Sequence, residues 1–165
     1  MTEKGLIEMS VESVRKYLTK FGVESRIMEF TESSATVELA AAVVGVIPAR
    51  IAKTLSFKTP EGAMLIVAAG DAKIDNRKFK DKFGYKAKML SADEVIELIG
   101  HPVGGVCPFD LKDGVDVFLD ESMKRFESVF PAAGSPSSAI EFTCDELFEC
   151  SQAKEWIDVC KLPDA

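Results

Sequence analysis

The stretch IAKTLSFKTPEGAMLIVAA, residues 51–69, decides the fold, because it predicts two β-strands joined by a tight turn. In residues 51–57 the odd positions are mostly apolar and the even positions are Ala, Thr and Ser, and side chains two apart share one face of a sheet. After the Pro60-Glu61-Gly62 turn, residues 63–69 are apolar without interruption, which is typical of a strand covered on both faces. The stretch therefore predicts a β-hairpin with a buried second strand.

Lys53 is the residue of this hairpin that indicates function. Alternation places its ammonium on the face of Ile51, Leu55 and Phe57, which we expect to be the interior face. An ammonium shielded from water is costly unless an anion, a carbonyl or a ligand meets it, so this position needs a partner. The alternative is a lysine at the fraying start of the strand, with its stem packed and its ammonium in solvent.

A second segment, GHPVGGVCPF at residues 100–109, predicts a shaped loop. Its three glycines and two prolines exclude a regular helix or a central strand, whereas its valines and phenylalanine indicate partial burial. Adjacent Gly104 and Gly105 permit positive φ and let a ligand approach the main chain, so their N–H groups could point at an oxygen. The alternative is a tight turn between a helix and the next strand.

Capping residues and hydrophobic spacing predict alternating elements elsewhere. The predicted helices are residues 11–21, 37–44, 75–83, 92–99, 145–150 and 153–159, with Ser10, Thr36 and Ser91 as amino-terminal caps. The further predicted strands are residues 26–30, 87–90, 115–120 and 138–143. Since hairpin and crossover connections both occur, we predict an α+β (mixed α/β) fold, in which residues 1–165 form a single domain with a mixed, mostly antiparallel sheet flanked by helices.

Composition argues against several classes of protein. No apolar run approaches the length that spans a bilayer, and no signal-like segment follows the first residues, so we expect a cytoplasmic protein without a membrane partner. The four cysteines form no Cys-x-x-Cys pair and are expected to be reduced thiols. With one histidine in the chain, we predict no metal site and no cofactor.

Basic residues are concentrated between Lys73 and Lys88, where seven of them stand against two acidic residues. The net charge of the whole chain is −7, which argues against a protein that clamps DNA through its whole surface. The local excess of positive charge favours a phosphate-binding patch on an acidic body. The alternative is an ordinary solvated helix face.

Five segments occur in an order that is characteristic of one family. They are the Thr36-x-x-Leu39 helix, the strand at residues 51–55, the loop at 100–109, the strand at 115–120 and the segment at 133–141. In this combination, over about residues 10–151, the chain resembles the YbaK/EbsC-like aminoacyl-tRNA deacylases, which include relatives of the editing domain of bacterial prolyl-tRNA synthetases. The family's Lys-Thr pair matches Lys53 and Thr54, and its Gly-x-x-x-Pro loop matches Gly104 to Pro108.

The resemblance implies a trans-editing hydrolase that cleaves the ester of a mischarged aminoacyl-tRNA, with a small amino acid on tRNA-Pro. Its implied partners are aminoacyl-tRNA and prolyl-tRNA synthetase. An aminoacyl ester is already activated, so hydrolysis requires mainly a placed water and stabilisation of the carbonyl oxygen. The implied catalytic residues are Lys53, Gly104 and Gly105. The implied substrate-binding residues are Thr36, Thr54, His101, Val106, Cys107, Pro108 and Gly134. The basic stretch at residues 73–88 supplies the predicted tRNA contacts, Lys73, Arg77, Lys78 and Lys82.

The chain departs from the family pattern at three positions. Cys107 stands where many members have serine or threonine, and Ala132 and Ala139 stand where many have a serine and an aspartate. The last two changes leave the specificity for a cysteine substrate open and do not affect Lys53. Two alternatives to a deacylase are a non-catalytic module that binds an amino acid, a nucleotide or tRNA, and a regulator that docks a basic protein on its acidic surface.

Cys107 and His101, six residues apart, raise the further possibility of a thiolate nucleophile with its base. The alternative is structural. Cys107 between Val106 and Pro108 is typical of a small buried filler, and His101 at a helix end can cap carbonyls.

Overall fold

A mixed sheet of six strands forms the centre of the computed structural model, which describes residues 3–31, 36–101 and 106–163. The strands are β1 Met28–Glu29, β2 Ile51–Thr59, β3 Gly62–Ala69, β4 Lys73–Ile74, β5 Asp116–Asp120, β6 Ser128–Pro131, β7 Ser138–Ala139, β8 Phe142–Thr143, β9 Glu155–Ile157 and β10 Cys160–Lys161. The helices are α1 Glu3–Thr19, α2 Val37–Val44, α3 Asn76–Phe83, α4 Ala92–Glu94 and α5 Cys144–Ser151. Helix α4 continues directly into a π-helical turn, Val95–Ile99.

The order of strands in the main sheet is β8-β6-β2-β3-β5-β9. The β2–β3 and β6–β8 pairs are antiparallel, whereas β2–β6, β3–β5 and β5–β9 are parallel. Two small antiparallel sheets join β1 to β7 and β4 to β10. Four of the seven strand pairs within the described ranges are therefore antiparallel, although three of the five pairs in the main sheet are parallel. The predicted α+β fold with a mixed sheet flanked by helices is confirmed.

The predicted hairpin is present, with Thr59 opposite Gly62 and Ala52 opposite Ala69. Every residue of β3 from Ala63 to Ala69 is buried, as its uninterrupted apolar sequence predicts. The prediction of one interior face for β2 is wrong. Ala52 and Ser56 on the even face are as buried as Phe57 on the odd face, because β2 is a central strand that is covered on both sides.

Several predicted helix ends are confirmed. Thr36 caps α2 by accepting a hydrogen bond from the Leu39 N–H at 3.1 Å, and Gly45 ends that helix in the left-handed conformation. Ser91 and Glu94 form the predicted capping box at α4. These signals are local in the sequence, so they need no knowledge of the rest of the fold.

Three predictions of secondary structure are wrong. Ser10 is not a cap, because α1 begins at Glu3 and Ser10 lies inside it with a buried side chain. The predicted helix at 153–159 contains β9 instead, since residues 155–157 pair with β5 at the edge of the main sheet. The predicted strand at 87–90 is a single bridge between Met89 and Phe57. Within the described ranges, no helix is both long enough and apolar enough to cross a bilayer.

Candidate functional site

A cavity of about 360 Å³ lies between β2, α2 and the beginning of α4. The even face of β2 contributes Ala52, Thr54 and Ser56 to its wall, and Lys53 borders the same cavity. Thr36 lies at the start of α2 on the opposite side. Most of the remaining wall is apolar, so this small set of polar groups determines which polar atoms of a ligand can bind.

The ammonium of Lys53 is half-buried and is held by backbone carbonyls. Nζ donates to the Gly70 carbonyl at 3.4 Å and, at closer range, to the Ala72 carbonyl. Burial lowers the pKa of Lys53. An ammonium has three N–H donors, and two of them are used by these carbonyls, which leaves the third for a ligand. The lysine thus meets the carbonyl partners that its position in the strand requires, and its ammonium does not extend freely into solvent.

Thr54 adds a hydroxyl that is free to bind. Its Oγ1 is buried, and it has no hydrogen-bond partner in the part of the chain that the structure describes. Leaving such a group unpaired costs about 1–3 kcal/mol. Thr54 also borders the cavity beside Lys53, so a rotation of its side chain would turn this hydroxyl toward a bound ligand and relieve that cost.

The glycine-rich loop reaches this cavity through Val106, which forms part of its wall. Gly104 and Gly105, the residues whose amides we predict to bind the carbonyl oxygen, lie outside the described residues. Their role therefore stays a prediction.

His101 and Cys107 lie in the core and not in the described wall of the cavity. The His101 ring is 1% exposed, with Nε2 2.7 Å from the Phe109 carbonyl and Nδ1 2.7 Å from the Ser10 hydroxyl. Since a carbonyl only accepts, we assign the proton to Nε2, and Nδ1 accepts from Ser10. Burial lowers the pKa of His101, so the ring is neutral at physiological pH.

The geometry does not support the cysteine–histidine dyad. Cys107 Sγ lies 3.8 Å from His101 Nε2, but that nitrogen carries a proton bound to Phe109 and cannot act as the base. Complete burial raises the pKa of the Cys107 thiol to about 12, so it is protonated at neutral pH. Both residues match the structural alternative, a carbonyl-binding histidine and a buried filler.

The other two predicted substrate contacts also lie away from the described cavity wall. Pro108 borders a different surface hollow, with Tyr17 and Asp110. Gly134 has φ of +101°, and a Cβ added there would lie 2.8 Å from the Ser10 carbonyl oxygen, so this glycine permits close packing on α1. Of the seven predicted substrate-binding residues, the structure therefore brings three to the cavity: Thr36, Thr54 and Val106.

Sequence reasoning missed part of the wall. Ala132 and Ala139, singled out above only as departures from the family pattern, both border the cavity, as do Ser56 and Ser138. Ala52 of β2 pairs with Pro131 of β6 in parallel strands, and this pairing places the residues that follow β6 beside the cavity. No local sequence signal predicts that pairing.

The predicted tRNA contacts divide into two groups. α3 packs on the sheet through Phe79, whose ring lies 5.2 Å from that of Phe57, and its basic side chains are exposed. Two of the predicted contacts are engaged by carboxylates: Lys78 donates to Asp158 at 3.0 Å, and Lys82 is ion-paired with Glu155. Lys73 and Arg77 are exposed and form no ion pair within the described ranges. In that part of the chain, no group of three or more His, Cys, Asp and Glu side chains is arranged to hold a metal ion.

Comparisons with known proteins give a consistent result. The model of a family described as the aminoacyl-tRNA editing domain matches residues 31–150. The uncharacterized protein YwhH of Bacillus subtilis (strain 168) is 56% identical over 154 residues, which are 93% of this chain and 98% of that protein. The proline–tRNA ligase of Kosmotoga olearia is 26% identical over 143 residues, 80% of this chain but only 24% of the ligase.

A solved structure described as a candidate trans-editing enzyme for prolyl tRNA synthetase superposes with a TM-score of 0.84 at 28% identity. The superposition covers 92% of this chain and 97% of that one.

Proposed function

Because the chain belongs to the aminoacyl-tRNA editing domain family, we propose that it is a trans-acting deacylase, which hydrolyses the ester of a small amino acid wrongly attached to tRNA-Pro. One observation carries the proposal: Lys53, whose ammonium keeps one N–H unused, and Thr54, whose hydroxyl is unpaired among the described residues, line the same cavity. A site with one free N–H of a cation and one free hydroxyl suits an oxygen-rich ligand, such as the ribose and phosphate of a terminal nucleotide.

The size and lining of the cavity support a small amino acid. Its volume of about 360 Å³ lies near the lower end of the range for ligand pockets, about 300–1,000 Å³. It therefore suits an aminoacyl group with part of the terminal nucleoside, while the body of the tRNA lies outside. Alanines at 40, 52, 132 and 139 line it, so the compartment that they form for a side chain is apolar. Such a compartment can act as a second sieve for side chains that a synthetase cannot reject by size.

The proposed chemistry depends on placement and electrostatics. The aminoacyl ester needs an attacking water, or a thiol of the substrate, and stabilisation of the oxygen that gains negative charge. We assign the second task to the amides around Gly104, Gly105 and Val106. Lys53 would fix the phosphate or ribose side of the terminal adenosine, and Thr54 would orient the substrate.

We further propose that the basic helix guides the tRNA body. Lys73 and Arg77 are exposed and without ion pairs among the described residues, so they are available for phosphates. The segment that follows α3 reaches the cavity at Met89, so the basic surface of α3 and the proposed active site are joined by only a few residues of chain. Prolyl-tRNA synthetase is the proposed source of the mischarged tRNA, which fits the similarity of this chain to part of a proline–tRNA ligase.

A second candidate function is a non-catalytic module that binds the terminal aminoacyl nucleotide. The observation that favours it is the presence of Ala132 and Ala139 in the cavity wall, because members of the family that the chain resembles carry a hydroxyl and a carboxylate there.

The two functions are separated by a panel of tRNA-Pro charged with alanine, serine, cysteine or proline, with ester loss followed over time. We expect the wild type to release one or more of the first three, and Lys53→Ala to lower kcat/KM by about 100-fold, the scale of one lost electrostatic contact in an active site. Lys58→Ala is the matched control, since Lys58 is on the same strand but is paired with Glu94 at 2.9 Å. It should retain activity within a factor of two.

The outcomes are distinct. Activity that survives Lys53→Ala would refute the assignment of that residue. Binding of aminoacyl-tRNA without ester loss for all four amino acids would establish the second function instead of the first.

A further inference from the structure

The Lys53 ammonium is positioned by a turn and not by an acidic side chain. Its two hydrogen bonds go to the carbonyls of Gly70 and Ala72, in the turn that follows β3. A carbonyl is fixed by the course of the backbone, so the location of the cation depends on where this turn lies. The turn is closed by a hydrogen bond from the Ala72 N–H to the Ala69 carbonyl at 3.0 Å.

One side of the turn is fixed by an arginine. The Asp71 carboxylate accepts two hydrogen bonds from Arg125, at 2.6 and 3.1 Å, in the parallel geometry that fixes both direction and distance. Arg125 itself is held by a bond from Nε to the Ser122 carbonyl at 2.8 Å. The Ser122 hydroxyl in turn accepts from the Ala69 N–H at 3.1 Å. Residues 122–125 therefore hold the end of β3 and the turn together.

The other side of the turn is fixed by packing. A Cβ added at Gly70 would lie 2.1 Å from the Pro48 carbonyl oxygen and 2.7 Å from Cγ1 of Val37. There is no space for the turn to move toward α2, and Val37 is itself part of the cavity wall. The carbonyls that hold Lys53 are thus confined between a packed helix and the arginine.

We propose that the Asp71–Arg125 ion pair positions the Lys53 ammonium in the cavity, so that Asp71 and Arg125 are positioning residues of the deacylase site. This inference rests on the proposed function for its consequence in catalysis. The positioning itself is a statement about the folded chain and can be measured without a substrate.

Charge acts together with position. The Asp71 carboxylate favours the charged form of Lys53 and so opposes the effect of burial on the pKa of the lysine. The other charged groups that act on the ammonium are Glu38, which also favours its charged form, and Lys73, which opposes it. The nearby Cys160 thiol, whose pKa burial raises to about 12, is uncharged where Lys53 titrates. Removing the Asp71 charge must therefore lower the pKa of Lys53 further.

Three variants test the inference on the full chain. Arg125→Gln removes the two-point contact and keeps the Asp71 charge, whereas Asp71→Asn removes the charge and can still bond to the arginine. Arg125→Lys serves if Arg125→Gln fails to fold, because it keeps the charge but not the paired geometry. Arg26→Gln is the matched control, since the Arg26–Glu146 pair, at 2.8 Å, is also partly exposed and Arg26 does not border the cavity.

The first measurement is deacylation of the substrate that the wild type cleaves fastest. We expect Arg125→Gln to lower kcat/KM by about 10- to 100-fold, the scale of a misplacement near 1 Å. Asp71→Asn should move the alkaline limb of the pH profile to lower pH, whereas Arg26→Gln should change neither quantity by more than a factor of two. A purely structural role for the pair would lower activity without moving the pH profile.

The second measurement is an NMR titration of the side-chain amine in chain labelled with ¹³C and ¹⁵N lysine, with the Lys53 signal assigned from Lys53→Arg. We expect Lys53 to titrate at lower pH in Asp71→Asn than in the wild type, and its signal to shift in Arg125→Gln. Unchanged titration and unchanged kcat/KM in both variants would overturn the inference. A wild type that cleaves no aminoacyl-tRNA refutes the proposed function, while the titration still decides the positioning.

Discussion

The only histidine of the chain makes acid sensitivity a sharp test of the assigned hydrogen bonds. The His101 ring is held neutral in the core, and burial lowers its pKa below the ordinary value of 6.5, although the Phe109 carbonyl and Asp110 act in the opposite direction. In the unfolded chain the ring binds a proton near that ordinary value. Below pH 6.5 the unfolded state therefore holds more protons than the folded state, and the free energy of unfolding must fall as the pH falls.

The magnitude follows from the same difference. If the folded ring stays neutral, the linkage predicts a loss of about 1 kcal/mol between pH 6.5 and pH 5.5, and a slope approaching about 1.4 kcal/mol per pH unit below that. The loss ends where the pH reaches the lowered pKa of the folded state. The carboxylates whose pKa is shifted, including Glu94 at about 2, are shifted downward and act at lower pH, so this window reports on His101.

The assay is urea denaturation of the full chain at pH 7.5, 6.5 and 5.5, for the wild type and for His101→Asn. The variant should be less stable at pH 7.5, by about 1–3 kcal/mol for each buried group left without a partner, Ser10 or Phe109. It should also show no pH dependence in this window. A wild type that is equally stable at pH 7.5 and 5.5, or a variant that keeps the slope, would refute the neutral buried ring.

Three further predictions address the cavity and the basic surface. Thr54→Val should leave the free energy of unfolding unchanged or raise it, because Oγ1 has no partner among the described residues, and it should lower deacylation of aminoacyl-tRNA. A loss of stability above about 1 kcal/mol, measured by urea denaturation, would contradict the unpaired hydroxyl. Cys107→Ser should keep turnover of the aminoacyl ester if it folds, since the Cys107 thiol, with a pKa of about 12, is protonated and cannot act as the nucleophile. Loss of turnover in a folded variant would support the cysteine–histidine dyad after all. The double variant Lys73→Ala, Arg77→Ala should weaken tRNA binding and reduce the slope of log K against log salt concentration by about 2. Lys78→Ala should change that slope less, because Lys78 is already paired with a carboxylate. Equal slopes for the two variants in a salt titration would refute the distinction between free and paired basic side chains.

The parts of the fold that the sequence predicts correctly are those whose causes are local. The Thr36 cap and the capping box at Ser91 use side chains three residues apart, and the β2–β3 hairpin needs only a turn between two apolar runs. β9 could not be predicted in the same way, because residues 155–157 form a strand only through β5, which lies about forty positions earlier. Ser10 shows the same limit, since inside α1 its hydroxyl bonds to His101, which lies 91 positions later in the sequence.

In the candidate site, too, the residues with local causes are predicted from the sequence and those placed by distant contacts are not. Lys53 and Thr54 are adjacent in a strand, and the pattern of that strand predicts a shielded cation. The groups that hold the cation are contributed by the turn at residues 70–72 and by Arg125, and no periodicity in the sequence connects them. The resemblance implies His101 and Cys107 as substrate contacts, but both side chains lie in the core, whereas Val106 borders the cavity.

The kind of partner distinguishes the lysines that are available to a substrate from those that are not. Lys78 and Lys82 face carboxylates, so their charge is largely neutralised before any phosphate approaches. Lys53 is held by two carbonyls, which are dipoles without net charge, so the ammonium is fixed in place by groups that do not neutralise it. The Asp71 carboxylate is paired with Arg125, and it acts on Lys53 both through the turn and through its charge. A cation that is held in place by carbonyls suits an anionic or oxygen-rich substrate, because no carboxylate must be displaced when the substrate binds.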